Sequence, residues 1–521
     1  MIFQQLLDKK IFTVNYIANR NDAITLLCPG VAWSKAGPYF LLSKIALALY
    51  SKHNNAILFD YYGQGDSFGG HEEVCFESMY RSLDIILKHL SSRGYTKINL
   101  LGIGIGNYFA HLVANRPEVA MVVFIDYDRE LFSNLQRSIQ SFKGKVLNGL
   151  FIIDEIDTTM KGRILRALVG ITPWYRGYPI NVNILNVSGS TDNDILVDKP
   201  VYDITKAMLH GWGDCLDSLY WKDWVGCAKW PGALEKIVEE VSGWIISHQQ
   251  VVRPNLRLAQ QMDCDMNVKV FEVDNIQAIF HISEAGASDA CIVYEPGIGG
   301  DRVDHMRCGV ELSRAAQQSG FSVLRYDFRG TGISAGDFYK YTWTERIQVF
   351  YILKEYIMNT YNVRRFYIVS FSEGAKMASW LSQNDKDVKG AVLWSPIIRS
   401  EIVNYHEEMK ERHVLPKFMK YSKSREMVLP VQGYYLGLSY FQDHKKYDFY
   451  SCMEKRKIPM KIFWGEQDPF FEKNYFYNLE NKDFHLEVIE NEGHLFGYQN
   501  MQLVIEGTVR YLRRIKEVGM V

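Results

Sequence analysis

Apolar residues along this chain gather in short runs, with segments of helical period between them. Phe12 to Tyr16 and Ala23 to Cys28 read as strands near the start. Val268 to Val273, Ala278 to Ile282 and the run from Cys291 repeat that opening later in the chain. The run from Phe366 reads as a buried strand entering a sharp turn, and Ala375 to Leu381 continues as a helix. Two further strands start at Lys461 and Leu486. Leu234 to Ile246 has apolar residues at helical spacing, as does the last helix, about Gln502 to Lys516. Strands alternating with helices predict an α/β architecture with a mostly parallel sheet.

The turn after Phe366 holds the first candidate chemistry. Ser370-Phe-Ser-Glu-Gly374 places Ser372 at the apex between a strand and a helix, with small residues on both sides. A nucleophile elbow needs this context, because the serine sits on strained backbone where strand and helix approach closely. Ser372 is expected to have a positive φ. Asp468 follows the strand from Lys461, and His494 follows the strand from Leu486 in Asn491-Glu-Gly-His494. Singly, each is a common loop residue. Together, at strand ends and in the order serine, acid, histidine, they have the parts that serine catalysis requires. A serine hydroxyl needs a histidine to take its proton, and the histidine needs a carboxylate to hold its tautomer.

On these residues the chain resembles the α/β-hydrolase superfamily, loosely at the level of serine-aminopeptidase-like and exosortase-associated hydrolases. Tyr326-Asp-Phe-Arg-Gly-Thr-Gly-Ile-Ser334 resembles the family's turn after its fourth strand. Glu295-Pro-Gly-Ile298 stands where the family has its oxyanion loop, with Pro296 in place of the usual histidine. The resemblance implies a catalytic Ser372, Asp468 and His494, with the backbone N–H groups of Ile298 and Glu373 stabilising an oxyanion.

The pattern occurs twice. Pro29 and Pro296, Asp60 and Asp327, and Ser67 and Ser334 each stand 267 residues apart. The elbow repeats almost in step, but Gly104 in Gly102-Ile-Gly-Ile-Gly106 replaces the serine. A period this long signals a duplicated domain, since solenoid units run about 20–50 residues. Asp192 or Asp194 and His210 are the acid and histidine remnants expected in the first copy. Two tandem α/β-hydrolase domains follow, at 1–250 and 251–521, the first a pseudo-enzyme copy lacking the nucleophile. Each is a mostly parallel doubly wound sheet with a small helical cap insertion. The caps are expected at about 130–177 and 399–457, the second with a basic run from Lys410 to Arg425 and an aromatic cluster from Tyr434 to Tyr450.

Composition adds exclusions. Net charge is −1, so neither a nucleic-acid footprint nor a polybasic membrane arm is implied. No run reaches the ~18 apolar residues of a membrane span. No leader pattern stands at the start, and the eight cysteines are scattered without a C-x-x-C pair, which fits free thiols in the cytoplasm. No H-E-x-x-H occurs, and Gly102 to Gly106 lacks the dinucleotide fingerprint, so neither metal nor cofactor is expected.

The reading is a serine hydrolase cleaving an ester, thioester or amide, with acyl transfer or a tailoring step in a biosynthetic pathway as variants. Its partner is a small-molecule acyl substrate, free or linked to a carrier protein or CoA. A non-catalytic scaffold of two pseudo-hydrolase domains is the reading from a different class.

Overall fold

The structure is a computed structural model. It describes residues 2–18, 23–30, 34–37, 40–125, 144–147, 150–153, 179–181, 201–203, 233–249, 267–286, 288–398, 419–420, 427–431, 434–468, 470–479 and 483–518. The chain divides into two compact units. One runs from Met1 to Asp265, and the other from Met266 to Lys420 and from Glu426 to Val521.

The first unit holds β1 (Ile2–Leu7), β2 (Ile11–Tyr16), β3 (Ala23–Cys28), β4 (Asn55–Phe59), β5 (Lys97–Ile103) and β6 (Val119–Ile125). It also holds β7 (Gly144–Leu147), β8 (Leu150–Ile153), β9 (Pro179–Asn181) and β10 (Val201–Asp203). Its described helices are α1 (Leu41–Ser51), α2 (Phe76–Ser92), α3 (Ile105–Leu112) and α4 (Ala233–His248). The main sheet has the order β1-β2-β4-β3-β5-β6-β10. The β1–β2 and β2–β4 pairs are antiparallel, and the remaining pairs are parallel. β7, β8 and β9 form a separate antiparallel sheet.

The second unit repeats this plan with β11 (Val268–Val273), β12 (Ile276–His281), β13 (Ala290–Glu295), β14 (Ser322–Tyr326), β15 (Arg365–Phe371) and β16 (Val388–Trp394). Next come β17 (Met419–Lys420), β18 (Met427–Val431) and β19 (Tyr434–Gly437), then β20 (Met460–Gly465) and β21 (Phe484–Ile489). The helices are α5 (Cys308–Gln318), α6 (Trp343–Tyr361), α7 (Ala375–Asn384), α8 (Leu438–His444), α9 (Phe449–Glu454), α10 (Lys473–Asn478) and α11 (Tyr498–Val518). The sheet order is β11-β12-β14-β13-β15-β16-β20-β21, parallel from β14 onward.

Alternation along the strands builds two cores. Cys291 and Val293 of β13 face α6 and α7 through Phe350, Leu353 and Met377. Ala290, Ile292 and Tyr294 face α5 and α11 through Leu312, Val504 and Leu512. Period-2 side chains on strands covered by helices on both faces produce this three-layer arrangement. Parallel strands so arranged present all their C-terminal ends, and the loops that follow, on one edge of the sheet.

The duplication extends to hydrogen bonds. Ser67 Oγ donates to Asp60 O at 2.7 Å, and Ser334 Oγ donates to Asp327 O at 2.8 Å. The Lys35 N–H donates to Asp60 Oδ1 at 2.6 Å, as the Arg302 N–H does to Asp327 Oδ1 at 2.8 Å. Gly65 and Gly332 both have φ of 51°, and a Cβ on either would fall on the aspartate carboxyl. These glycines let the turn close over its own aspartate.

The described part of the 399–457 insertion contains strands as well as helices. β17, β18 and β19 form an antiparallel sheet ahead of α8 and α9. Of the run from Lys410 to Arg425, only Met419 and Lys420 lie within the described residues. Among the described residues, no helix is long and apolar enough to cross a membrane.

Candidate active site

β15 ends at Phe371, and the chain turns through the 3-10 segment Ser372–Gly374 into α7. Ser372 has φ of 52°, the left-handed conformation that costs a residue with a Cβ ~1–2 kcal/mol. Gly374 makes the turn sterically feasible, since a Cβ there would lie 2.5 Å from Glu295 O. Gly297 does the same from the facing loop. A Cβ on it would lie 3.1 Å from Ser372 Cβ, so the segment carrying Ile298 rests directly against the serine.

The acid and histidine reach this turn from β20 and β21. Past Gly465 the chain turns so that the Asp468 N–H donates to Gly465 O at 2.9 Å. His494 Nδ1 lies 2.9 Å from Asp468 Oδ2, and His494 Nε2 lies 2.9 Å from Ser372 Oγ. With the proton on Nδ1, the imidazole donates to Asp468 and accepts from the serine hydroxyl. Asp468 Oδ1 accepts from the Phe470 N–H at 2.9 Å, so both carboxylate oxygens are engaged. The imidazole is flanked by Phe371 and Phe470, with ring centroids 5.6 and 5.1 Å away. Ser372 and Asp468 are buried and His494 is largely buried.

The structure thus brings together the three side chains expected from the sequence. Ile298 and Glu373 lie on the two segments that meet at the serine. Asp192, Asp194 and His210 lie outside the described residues. The strand beside β6, where β20 stands beside β16, is Val201–Asp203. Asp192 and Asp194 therefore precede that strand, whereas Asp468 follows its counterpart. Gly104 sits at the end of β5 with φ of 57°, close to that of Ser372.

Beneath the elbow lies a buried ionic layer that periodicity did not reveal. Arg346 Nη2 donates to Glu295 Oε2 at 3.2 Å and to Pro296 O at 2.7 Å. Tyr326 OH donates to Glu295 Oε1 at 2.6 Å. Burial pushes the Glu295 carboxyl up, although Arg346 and the tyrosine oppose this. Lys376 Nζ donates to Glu373 Oε1 at 3.1 Å, and Tyr440 OH donates to the same oxygen. Burial pushes against ionisation of Glu373, but Lys376, the Tyr440 hydrogen bond and Arg346 outweigh it and hold the carboxyl below its usual range. A Glu ending an otherwise apolar strand, and Glu373 with Lys376 one helical turn apart, were the available signals. Among the described residues, no cluster of side chains suits a metal ion.

Residues 289–431 match the family described as serine aminopeptidase, S33. Solved structures similar to this chain include Est1E from Butyrivibrio proteoclasticus with ferulic acid bound. It is 17% identical over 48% of this chain and 99% of its own, with a TM-score of 0.40. The esterase Pf2001 from Pyrococcus furiosus is 18% identical over 48% of this chain and 90% of its own, with a TM-score of 0.36. The esterase domain of a Rhodothermus marinus protein is 14% identical over 47% and 97%, with a TM-score of 0.36. No curated protein matches the chain.

Proposed function

We propose that this α/β-hydrolase is a serine hydrolase that cleaves a carboxylic ester, thioester or amide through an acyl-serine on Ser372. The observation that carries the reading is the unbroken hydrogen-bonded series Ser372 Oγ, His494 Nε2, His494 Nδ1 and Asp468 Oδ2, each link 2.9 Å. Ser372 Oγ attacks the carbonyl carbon while His494 Nε2 takes its proton, and Asp468 stabilises the imidazolium. The backbone N–H groups of Ile298 and Glu373 receive the oxyanion. His494 returns the proton to the leaving group, and water or another acceptor then releases the acyl group by the reverse steps.

The catalytic domain is assigned to 251–521, and 1–250 to a pseudo-enzyme copy, because glycine at 104 offers no nucleophile. The acyl substrate is free or linked to a carrier protein or CoA, and transfer to a second substrate uses the same acyl-serine. Labelling with a fluorophosphonate probe tests the reading. Wild-type chain is expected to label, and Ser372→Ala to lose both labelling and turnover. Asp468→Asn should stay folded but lose ~10³–10⁴ in kcat through the wrong histidine tautomer. A folded wild-type chain that neither labels nor turns over a panel of p-nitrophenyl esters, acyl-CoAs and peptide amides would overturn it in favour of a non-catalytic scaffold.

A further inference from the structure

We infer that Tyr440, carried by α8 in the insertion, is a positioning residue for the two oxyanion donors, an inference that rests on the serine-hydrolase reading above. Those donors belong to residues 298 and 373, on separate segments after β13 and β15. Each segment is fastened by its own buried ion pair. Arg346 holds Glu295, and its Nη2 also grips Pro296 O at 2.7 Å, two residues before Ile298. Lys376 holds the side chain of Glu373, the residue whose own N–H is the second donor.

Tyr440 joins the two pairs. Arg346 Nη1 donates to Tyr341 OH at 2.6 Å. The Tyr341 ring stacks on Tyr440, with centroids 5.7 Å apart and planes 20° apart. Tyr440 OH then donates to Glu373 Oε1. From Pro296 through Arg346, Tyr341 and Tyr440 to Glu373, the connection is continuous and buried. Tyr440 comes from a helix outside the main sheet layers, and that helix is itself fastened. The Thr344 N–H and Oγ1 donate to Asp443 at 2.7 and 2.6 Å. α9 is held in turn by Ser379 Oγ, which donates to Phe449 O at 2.5 Å.

A tyrosine that served packing alone would need no partner for its hydroxyl beyond satisfying it. Here the partner is the carboxylate of the residue adjoining the nucleophile, so the bond anchors the Glu373 side chain and through its Cα restrains the backbone that bears the donor N–H. A donor aimed at an oxyanion must be held closely, since losing one outright costs ~10²–10³ in kcat. Loosening one is expected to cost less. The hydroxyl of Tyr440 thus links the insertion to the charge-stabilising step.

The test is Tyr440→Phe in the full chain, with active sites titrated by fluorophosphonate and a p-nitrophenyl ester as substrate. The kcat per titrated site is expected to fall about tenfold, with KM within about twofold. Tyr341→Phe, which removes the acceptor for Arg346 Nη1, should reproduce that pattern and serves if the first variant does not fold. Tyr440→Phe combined with Glu373→Gln should be no slower than the slower single variant, because both break one connection. An unchanged kcat per titrated site, with only the titratable fraction or the melting temperature reduced, would make Tyr440 a packing residue and overturn the inference. Failure of wild-type chain to label is a separate outcome, which removes the serine-hydrolase reading and this inference together.

Discussion

At the scale of the residue, His494 is held by more than its two hydrogen bonds. Phe371 ends the strand that leads into Ser372 and Phe470 belongs to the loop that carries Asp468, so both restrain the ring proposed to shuttle the proton. Single residues also set a pH dependence. His444 of α8 lies among Tyr440, Trp343 and Phe449, and burial depresses its pKa to about 4. The unfolded chain therefore binds this proton more readily than the folded one. The contribution is fully present above the ordinary histidine value of ~6.5 and is lost as pH falls toward 4. Relative to wild type, His444→Asn should gain stability as pH is lowered from 7 to 5. The gain should be under ~1 kcal/mol per pH unit, allowing for solvent screening of a partly exposed ring. Melting curves at the two pH values measure it, and a difference that is flat with pH would refute it.

At the scale of the element, the elbow is a packing problem before it is a catalytic device. β15 can turn into α7 only because Gly374 passes within contact of the end of β13, and Gly106 meets the same demand against Cys28 O in the first unit. Gly374→Ala would place a methyl group 2.5 Å from Glu295 O, against backbone that has little room to yield. It is expected to abolish labelling of Ser372 and to cost on the order of 3 kcal/mol, read from denaturant unfolding. An alanine variant that labels at the wild-type rate would show that the turn is looser than this. The same steric demand made the elbow legible in the sequence, because glycines and serines punctuate otherwise apolar strands at positions that only small residues can occupy. Asp468 and His494 were legible for a related reason, each standing in the loop that follows a strand. The ionic layer was not. Glu295 and Arg346 are 51 positions apart, and Glu373 and Tyr440 are 67 apart. No local period links residues that meet only after the sheet and the insertion have folded. The last strand of the insertion was missed because its aromatic cluster, Tyr434 to Tyr450, spans that strand, one whole helix and the start of another and shows the period of neither.

At the scale of the whole molecule, one chain holds two renderings of one plan, and they should differ in chemistry rather than in framework. Fluorophosphonate should label wild-type chain at one serine per chain, and peptide mapping should place the adduct at Ser372. Gly104→Ser in a Ser372→Ala background should remain unlabelled, since the spacing from Asp192 to His210 is shorter than that from Asp468 to His494. Labelling at position 104 in that double variant would show that the first copy retains a working partner set. The backbone at the two apices differs in cost. Ser372 at φ of 52° and Gly104 at 57° share a positive φ, which a serine adopts at a cost and a glycine does not. A glycine at this apex therefore carries less backbone strain than a serine does. A serine placed at 104 would impose that strain before any activity could offset it. Exchange at such an apex thus works as a ratchet: serine to glycine runs downhill in backbone strain, and glycine to serine runs uphill.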